Sequence, residues 1–271
     1  MNAIVLAMSL WAAGVSGSPP ASELPVGIQC LLKAYPQHLC SATATTLVGC
    51  DGRVFPYDDG VAKPDHDQLL DTADLEDQMA QRYPLGRDAA SPPAVNFEPG
   101  RVRNDAFFRW MYGNSRAEVR SRLETVRWLP STVNRRLRVT GVNDVHLRLQ
   151  AVSDEVDRLP ARIKGIVEKS SGTFNWRMIR GTNRLSMHSF AIAVDVGVSH
   201  SDYWRWRRPR PDGTRPYRNR IPLEVVEIFE RHGFIWGGKW YHFDTMHFEY
   251  RPELLADPCV ERPAAEPEHS R

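Results

Sequence analysis

Lysine is scarce in this chain: Lys33, Lys63, Lys164, Lys169 and Lys239 are all it has. Arginine carries the rest of the positive charge, a bias that reflects genome composition more than function. A surplus of either sign is also missing. With 35 Lys and Arg against 33 Asp and Glu, the net charge is +2, which excludes a nucleic-acid binder working through bulk charge. No apolar run is long enough to span a bilayer, which takes about 20 residues. No Cys-x-x-Cys pair occurs, so a thiolate metal site is not expected. The helical His-Glu-x-x-His pattern is absent, and so is any internal repeat. What is present is ordinary globular usage over 271 residues, 42% hydrophobic and 25% charged, which excludes a mainly disordered or fibrous chain.

The longest apolar run, Ala3 to Val15, fits the centre of a secretory signal peptide, with small residues at Val15-Ser16-Gly17 for cleavage. Met1-Asn2 lacks the usual positive charge. The expectation is a leader over 1–17 and a periplasmic or secreted product of the bacterial cell envelope, with no transmembrane span in the mature chain. Cys30, Cys40, Cys50 and Cys259 make an even count, which in an exported chain suggests disulfides. Three pairings are possible, and the sequence does not choose among them.

Residues 18–65 are rich in Pro, Gly and Cys and read as irregular. Helices are expected over Asp67–Tyr83, Asn104–Tyr112 and Asn143–Leu159, the last with Leu147, Leu149, Val152 and Val156 on one face. Ser115 and Glu118 form a capping box before a helix carrying Val119, Leu123 and Val126. Strands are expected over Leu137–Thr140, Thr173–Ile179, Phe190–Val198 and Met246–Tyr250. A helix from Pro222 to His232 has Pro in its first turn and Gly233 past its end. The organisation is then a Cys/Pro-rich and helical extension over 18–165 packing on a core at 166–255, and a disordered tail at 256–271.

Two segments carry chemistry, Ser186 to Asp195 and Trp236 to Tyr250. His188, Asp195 and His247 are two imidazoles and a carboxylate, and three protein ligands with an open fourth position is the form of a catalytic zinc site. Asp195 lies within Ala193-Val194-Asp195-Val196, where a carboxylate is costly unless paired or metal-bound. Taken singly, each such residue is more often a hydrogen-bonded core residue than a ligand.

The pattern Ser186-x-His188-x-x-x-x-Ala193-x-Asp195 closely resembles the SxHxxGxAxD signature of the VanY-type D-alanyl-D-alanine carboxypeptidase family. Relatives include D-Ala-D-Ala dipeptidases and L-alanyl-D-glutamate endopeptidases. Asp244-x-x-His247 resembles the family's second motif, an acidic residue three before the last histidine. The resemblance implies an α+β fold, with a small, mostly antiparallel sheet carrying one zinc ion and helices around it. It implies His188, Asp195 and His247 as ligands and Asp244 as the catalytic acid–base residue. Arg177, following Ser171-Gly172, stands where relatives bind substrate, with Arg180 its rival, and Ser186 would support the site by hydrogen bonding. The implied function is zinc-dependent hydrolysis of peptidoglycan stem peptides by a D-Ala-D-Ala carboxypeptidase. The alternatives are an L-alanyl-D-glutamate endopeptidase and a non-catalytic cell-wall-binding module. One departure is Ala191, where the family has glycine; alanine fits if φ is negative there.

Trp204 to Arg220 holds arginine at 205, 207, 208, 210, 215, 218 and 220 among Trp204, Trp206 and Tyr217. It reads as a basic loop beside the cleft that attracts anionic polymer, or as a solvated surface loop; composition also allows RNA binding, although no nucleic-acid partner is expected.

Overall fold

The computed structural model of the chain describes residues 23–86 and 93–262. The expected leader and the end of the tail lie outside the described residues.

The stretch read as irregular holds a helix, α1 (Val26–Ala34), and a three-stranded antiparallel sheet of β1 (Leu39–Ala42), β2 (Thr46–Gly49) and β3 (Val54–Pro56). These elements are too short for a periodicity window of about 11 residues to register. The Cys40–Cys50 disulfide staples the β1–β2 hairpin. Two helices, α2 (His66–Thr72) and α3 (Leu75–Ala80), replace the single one expected. The break is chemical. Asp74 accepts from the Asp77 N–H while Asp77 reaches back to the Asp74 N–H, a capping box that starts a new helix. The short strand β4 (Tyr83–Pro84) follows.

Helices α4 (Asp105–Tyr112) and α5 (Arg116–Ser121) are capped by Asn104 and Ser115. Glu118 accepts from the Asn114 N–H and not from that of Ser115. Leu123 and Val126, expected on the α5 face, lie instead in β5 (Leu123–Trp128), paired antiparallel with β6 (Arg135–Thr140). Their helical spacing was coincidental, and the run Thr125-Val126-Arg127-Trp128 has the residue types that strands favour. Helix α6 (Val145–Asp157) buries Leu149, Val152 and Val156, but Leu147 faces solvent.

Helix α7 (Ala161–Val167) leads into β7 (Ser170–Gly172). The strand expected over Thr173–Ile179 does not form. The chain there is irregular, with one bridge between Met178 and Leu185. Then come β8 (Ala193–Val196), α8 (Leu223–Arg231), β9 (Phe234–Trp236), β10 (His247–Tyr250), α9 (Pro252–Leu255) and β11 (Val260–Glu261). The central sheet runs β7-β8-β10-β9 and is antiparallel throughout. The fold is α+β with small, mostly antiparallel sheets, as the resemblance implied.

Gly233 ends α8 at φ 90, and a Cβ there would lie 2.7 Å from the Tyr250 ring, so no other residue closes this turn as well. The start of the tail is not disordered. Cys259 is bonded to Cys30 in α1, and β11 pairs with β4. One hydrophobic core extends from Leu24 to Cys259. In its middle Phe248 of β10 stacks on Phe229 of α8 at 3.9 Å. Strand side chains alternate faces, so while Val194 and Phe248 enter this core, Asp195, His247 and Glu249 turn to the opposite face. No helix of the described residues is long and apolar enough to cross a membrane.

Candidate active site

The sheet register brings the site together. His247 on β10 is the direct cross-strand partner of Asp195 on β8. His188 sits seven residues before Asp195 in the helical turn Met187–Phe190. Ala191 closes that turn at φ 56, so alanine occupies the left-handed conformation that glycine favours, contrary to the expected negative φ. The cost for an L-residue is roughly 1–2 kcal/mol. The geometry is held regardless, by Ala191 N–H donating to His188 O and Thr140 N–H to Ala191 O.

His188 Nε2 and His247 Nδ1 both face Asp195 Oδ1, at 3.2 and 3.0 Å. The three ligand atoms lie within 4.8 Å of one another. Each imidazole has its other nitrogen engaged. His188 Nδ1 is 2.9 Å from the Thr173 carbonyl and His247 Nε2 is 3.0 Å from Glu249 Oε2. A carbonyl only accepts, so His188 carries its proton on Nδ1. Its Nε2 lone pair then confronts a carboxylate oxygen, unless the ring is charged or a cation lies between them. Two histidines fixed from behind, one of them by a carboxylate, around a convergent N, N, O set is the arrangement metal ligands adopt. The donor set therefore fits zinc.

Without an ion the three groups pair with one another electrostatically. Burial would raise the Asp195 carboxyl, but the charges and hydrogen bonds of His188 and His247 outweigh it and hold it well below the usual carboxylate range. Burial disfavours a charged His247, yet hydrogen bonds to Asp195 and Glu249 push it up to about 10. Glu249 is fully buried and drawn down to about 2: burial opposes this, and the His247 hydrogen bond and the Arg251 charge outweigh it.

Asp244 stands apart from this network. Its Oδ1 is shut off from solvent and has no hydrogen-bond partner. Burial, assisted by the Asp195 charge and opposed by His247, pushes its carboxyl up to about 6. The neighbouring turn needs glycine, since a Cβ on Gly237 would lie 2.6 Å from the Asp244 carbonyl oxygen. That close approach lets Asp244 N–H donate to Gly237 O at 2.9 Å, which fixes the residue against the cleft.

His188, Asp195, Asp244, His247, Ser186 and Arg177 all line one cleft. Arg180 lines only its outer part, with Arg205 and Trp206. Ser186 is buried at the cleft wall. The hydroxyl that braces the arginine segment is that of Ser189, which accepts from Arg177 N–H and donates to Arg177 O. His242 does not face the cleft chemistry and bonds Glu98 instead.

Residues 180–250 match the family model described as D-alanyl-D-alanine carboxypeptidase. The match bears out the resemblance carried by the two motifs. No curated protein and no solved structure matches the chain. The carboxypeptidase-family segment contains all three convergent ligands, Asp244 and Glu249, and supports a peptidase function at family level. It excludes Arg177 and everything that the N-terminal part brings to the cleft.

Sequence reading missed Glu249 as the orienting partner of His247. Its signal was present: in a strand, i and i+2 share a face, so His247 and Glu249 had to point the same way. It also missed Arg101, Arg103 and Arg184, which line the cleft from segments that carry no motif. The arginine-rich loop is knit together. Trp204 lies between Arg205 and Arg215, at 5.0 and 4.9 Å, and Arg207 is paired with Asp202.

Proposed function

We propose that the protein is a zinc-dependent peptidase that hydrolyses peptidoglycan stem peptides and removes a terminal D-alanine. The observation that carries this reading is the unpartnered, buried Oδ1 of Asp244 beside a complete ligand set. A binding module needs no such carboxyl, since burying a polar atom without a partner costs about 1–3 kcal/mol. His188, Asp195 and His247 would hold the ion, with Thr173 O and Glu249 fixing the two rings. When bound there, zinc supplies Lewis acidity to polarise a carbonyl and to acidify water.

The chain's own groups do the rest. Asp244, with its carboxyl near 6, accepts the proton of the attacking water and delivers it to the leaving amine. Arg177 offers a planar guanidinium from the rim, suited to a stem-peptide carboxylate. Trp240 and Tyr203 wall the cleft. The activity belongs with the cell wall, in the periplasmic or secreted compartment that the apolar N-terminus suggests. The test is incubation of the purified, zinc-loaded protein with muropeptides, weighing the products. Loss of one terminal alanine supports the reading. Release of a stem fragment cut after L-alanine would replace it with the endopeptidase, and no product with either bond would sink it.

A further inference from the structure

A second concave surface lies outside the cleft and shares no residue with it. It is lined by Arg116 and Arg120 of α5, by Arg135, Arg136 and Arg138 of β6, and on the other side by the Gly172–Phe174 segment. Its volume is about 400 Å³, room for a ligand of linked units and more than a single ion needs. All five arginines are exposed. Each lies outside the family-matched residues 180–250.

These guanidinium groups meet without a counter-charge. Among the described residues none of them is paired with a carboxylate, and Arg116, Arg120 and Arg136 make no side-chain hydrogen bond there. Arg135 Nη1 donates to Ser170 O at 2.5 Å and Arg138 Nη2 to Leu123 O at 3.3 Å, which leaves most of their donors free. The carboxylates on neighbouring positions turn elsewhere. Glu118 accepts from Asn114 N–H, and Glu124 packs against Gly141. Arg136 and Arg138 share one face of β6, and Arg136 stands directly opposite Arg127 of β5. Like charges facing each other across a sheet are destabilising, and an anion that joins them relieves the repulsion.

We infer that this groove binds a phosphate-bearing polymer of the cell wall, which holds the enzyme at its substrate through a surface separate from the cleft. The anionic chemistry follows from the arginines alone; the cell-wall source rests on the peptidase reading. Guanidinium groups match phosphate oxygens bidentately, and phosphates spaced along a flexible backbone can engage several of them at once. Other polyanions find less here. Bases stack on exposed aromatic rings, and the one ring in the groove, Phe174, is half-buried. A membrane surface takes exposed apolar side chains, and Leu137 is buried and Leu123 half-buried. The groove is open at Gly172, where a Cβ would meet nothing within 4 Å. Thr173 joins the two surfaces. Its hydroxyl donates to Arg138 O while its carbonyl faces His188 Nδ1, so the groove adjoins the candidate site without opening into it. The arginines of the Trp204–Arg220 loop are different, since Arg205, Arg207 and Arg215 are engaged by Trp204 and Asp202.

The probe is a fluorescently labelled poly(glycerol phosphate), and its binding to the full chain is followed by anisotropy. With five arginine contacts to a flexible phosphodiester chain, affinity should fall on the order of 100-fold as salt rises from about 50 to about 200 mM. The combined variant Arg116→Gln, Arg120→Gln, Arg136→Gln removes side chains that hold nothing in the fold. It should weaken binding at low salt by more than about 10-fold and flatten the salt dependence, and the corresponding triple lysine variant should keep most of both. Arg208→Gln, Arg210→Gln, Arg218→Gln in the loop should bind like the wild type. No binding by the wild type at low salt, an equal loss in the loop variant, or undiminished affinity in a folded groove variant overturns the inference. So does a single-stranded oligonucleotide of matched charge that binds more tightly than the probe, which would make the partner a nucleic acid. Cleavage of a soluble muropeptide, measured without polymer, keeps the two ideas apart and should be equal in the wild type and the groove variant. Polymer binding without cleavage sinks the peptidase reading and leaves the groove, whereas cleavage without polymer binding sinks the groove and leaves the peptidase.

Discussion

Replacing Asp244 by Asn keeps the size of the side chain and removes its ability to accept a proton. General-base contributions are typically about 10²–10⁴-fold, and kcat/KM should fall by that order. The structure adds a second signature. With the carboxyl pushed up to about 6 by burial, it is roughly nine-tenths ionised at pH 7 and roughly one-tenth at pH 5. The base is the ionised form, so wild-type kcat/KM should drop about tenfold from pH 7 to pH 5. The residual activity of Asp244→Asn should lack this limb. Zinc should stay, because Asp244 is not among the convergent ligands, whereas His247→Ala should lose metal and activity together. Elemental analysis set beside turnover of a D-Ala-terminated peptide reads both halves. If Asp244→Asn loses its zinc, Asp244 is a ligand and the assignment fails. If it keeps full activity, the base lies elsewhere, and neither Glu249 nor His242 is free to replace it, since each is bound to another partner.

Glu249→Gln keeps an acceptor for His247 but removes the charge behind it, and zinc affinity measured by chelator competition should fall about 10- to 100-fold; an unchanged affinity refutes the orienting role. Glu98 is held well below the usual carboxylate range: burial opposes this, and the Arg101 charge and hydrogen bonds from His242 and His66 outweigh it. A depressed carboxyl gives stability that is present above its unfolded value of about 4.3 and lost as pH falls through the folded one. Urea midpoints should therefore drop more steeply in the wild type than in Glu98→Gln below about pH 4.3, and parallel curves would count against the network. Removing the Cys30–Cys259 disulfide, which closes a separation of 229 residues, should destabilise by about 5 kcal/mol against about 3 kcal/mol for Cys40–Cys50 with a separation of 10. Urea unfolding of the two double-alanine variants checks this, and the reverse order would contradict the loop-entropy argument.

The candidate ligands were legible because they fall in a short-range pattern. A turn, a strand and a partner strand place His188, Asp195 and His247 together, and both strands carried β-rich sequence. The α8 helix was legible from its apolar face, its Pro and its Gly233. The elements before Asp67 were not, since three- and four-residue strands show no period and owe their place to a disulfide and to the shared core. Leu123 and Val126 show how two apolar residues at helical spacing mislead when cross-strand pairing with Arg135–Thr140 decides the outcome. The Thr173 segment gave up regular structure, and its carbonyl serves His188 instead. Ala191 shows tertiary context overriding a local preference, because a buried turn with both backbone groups bonded tolerates the left-handed strain.

The second wall of the cleft was invisible in sequence for a different reason, and that reason bears on what the N-terminal part does. Glu98 has no exposed side-chain surface, and it accepts from the backbone N–H and the ring of His242 and contacts His66 and Arg101. Tyr241 N–H donates to Phe97 O, Trp240 Nε1 to Pro99 O and Arg101 Nη1 to His242 O. Five of these hydrogen bonds fall on Trp240-Tyr241-His242, the residues that lead into Asp244. None of them has a motif, because they are isolated long-range hydrogen bonds between segments about 140 residues apart. The segment from Phe97 to Arg103 thus clamps the approach to Asp244 and at its end contributes Arg103 to the cleft wall. A fragment limited to the family-matched residues would keep every ligand and lose both. The N-terminal part is in this sense a portion of the candidate site, and changes at Glu98 should lower turnover through Asp244 while leaving zinc content unchanged.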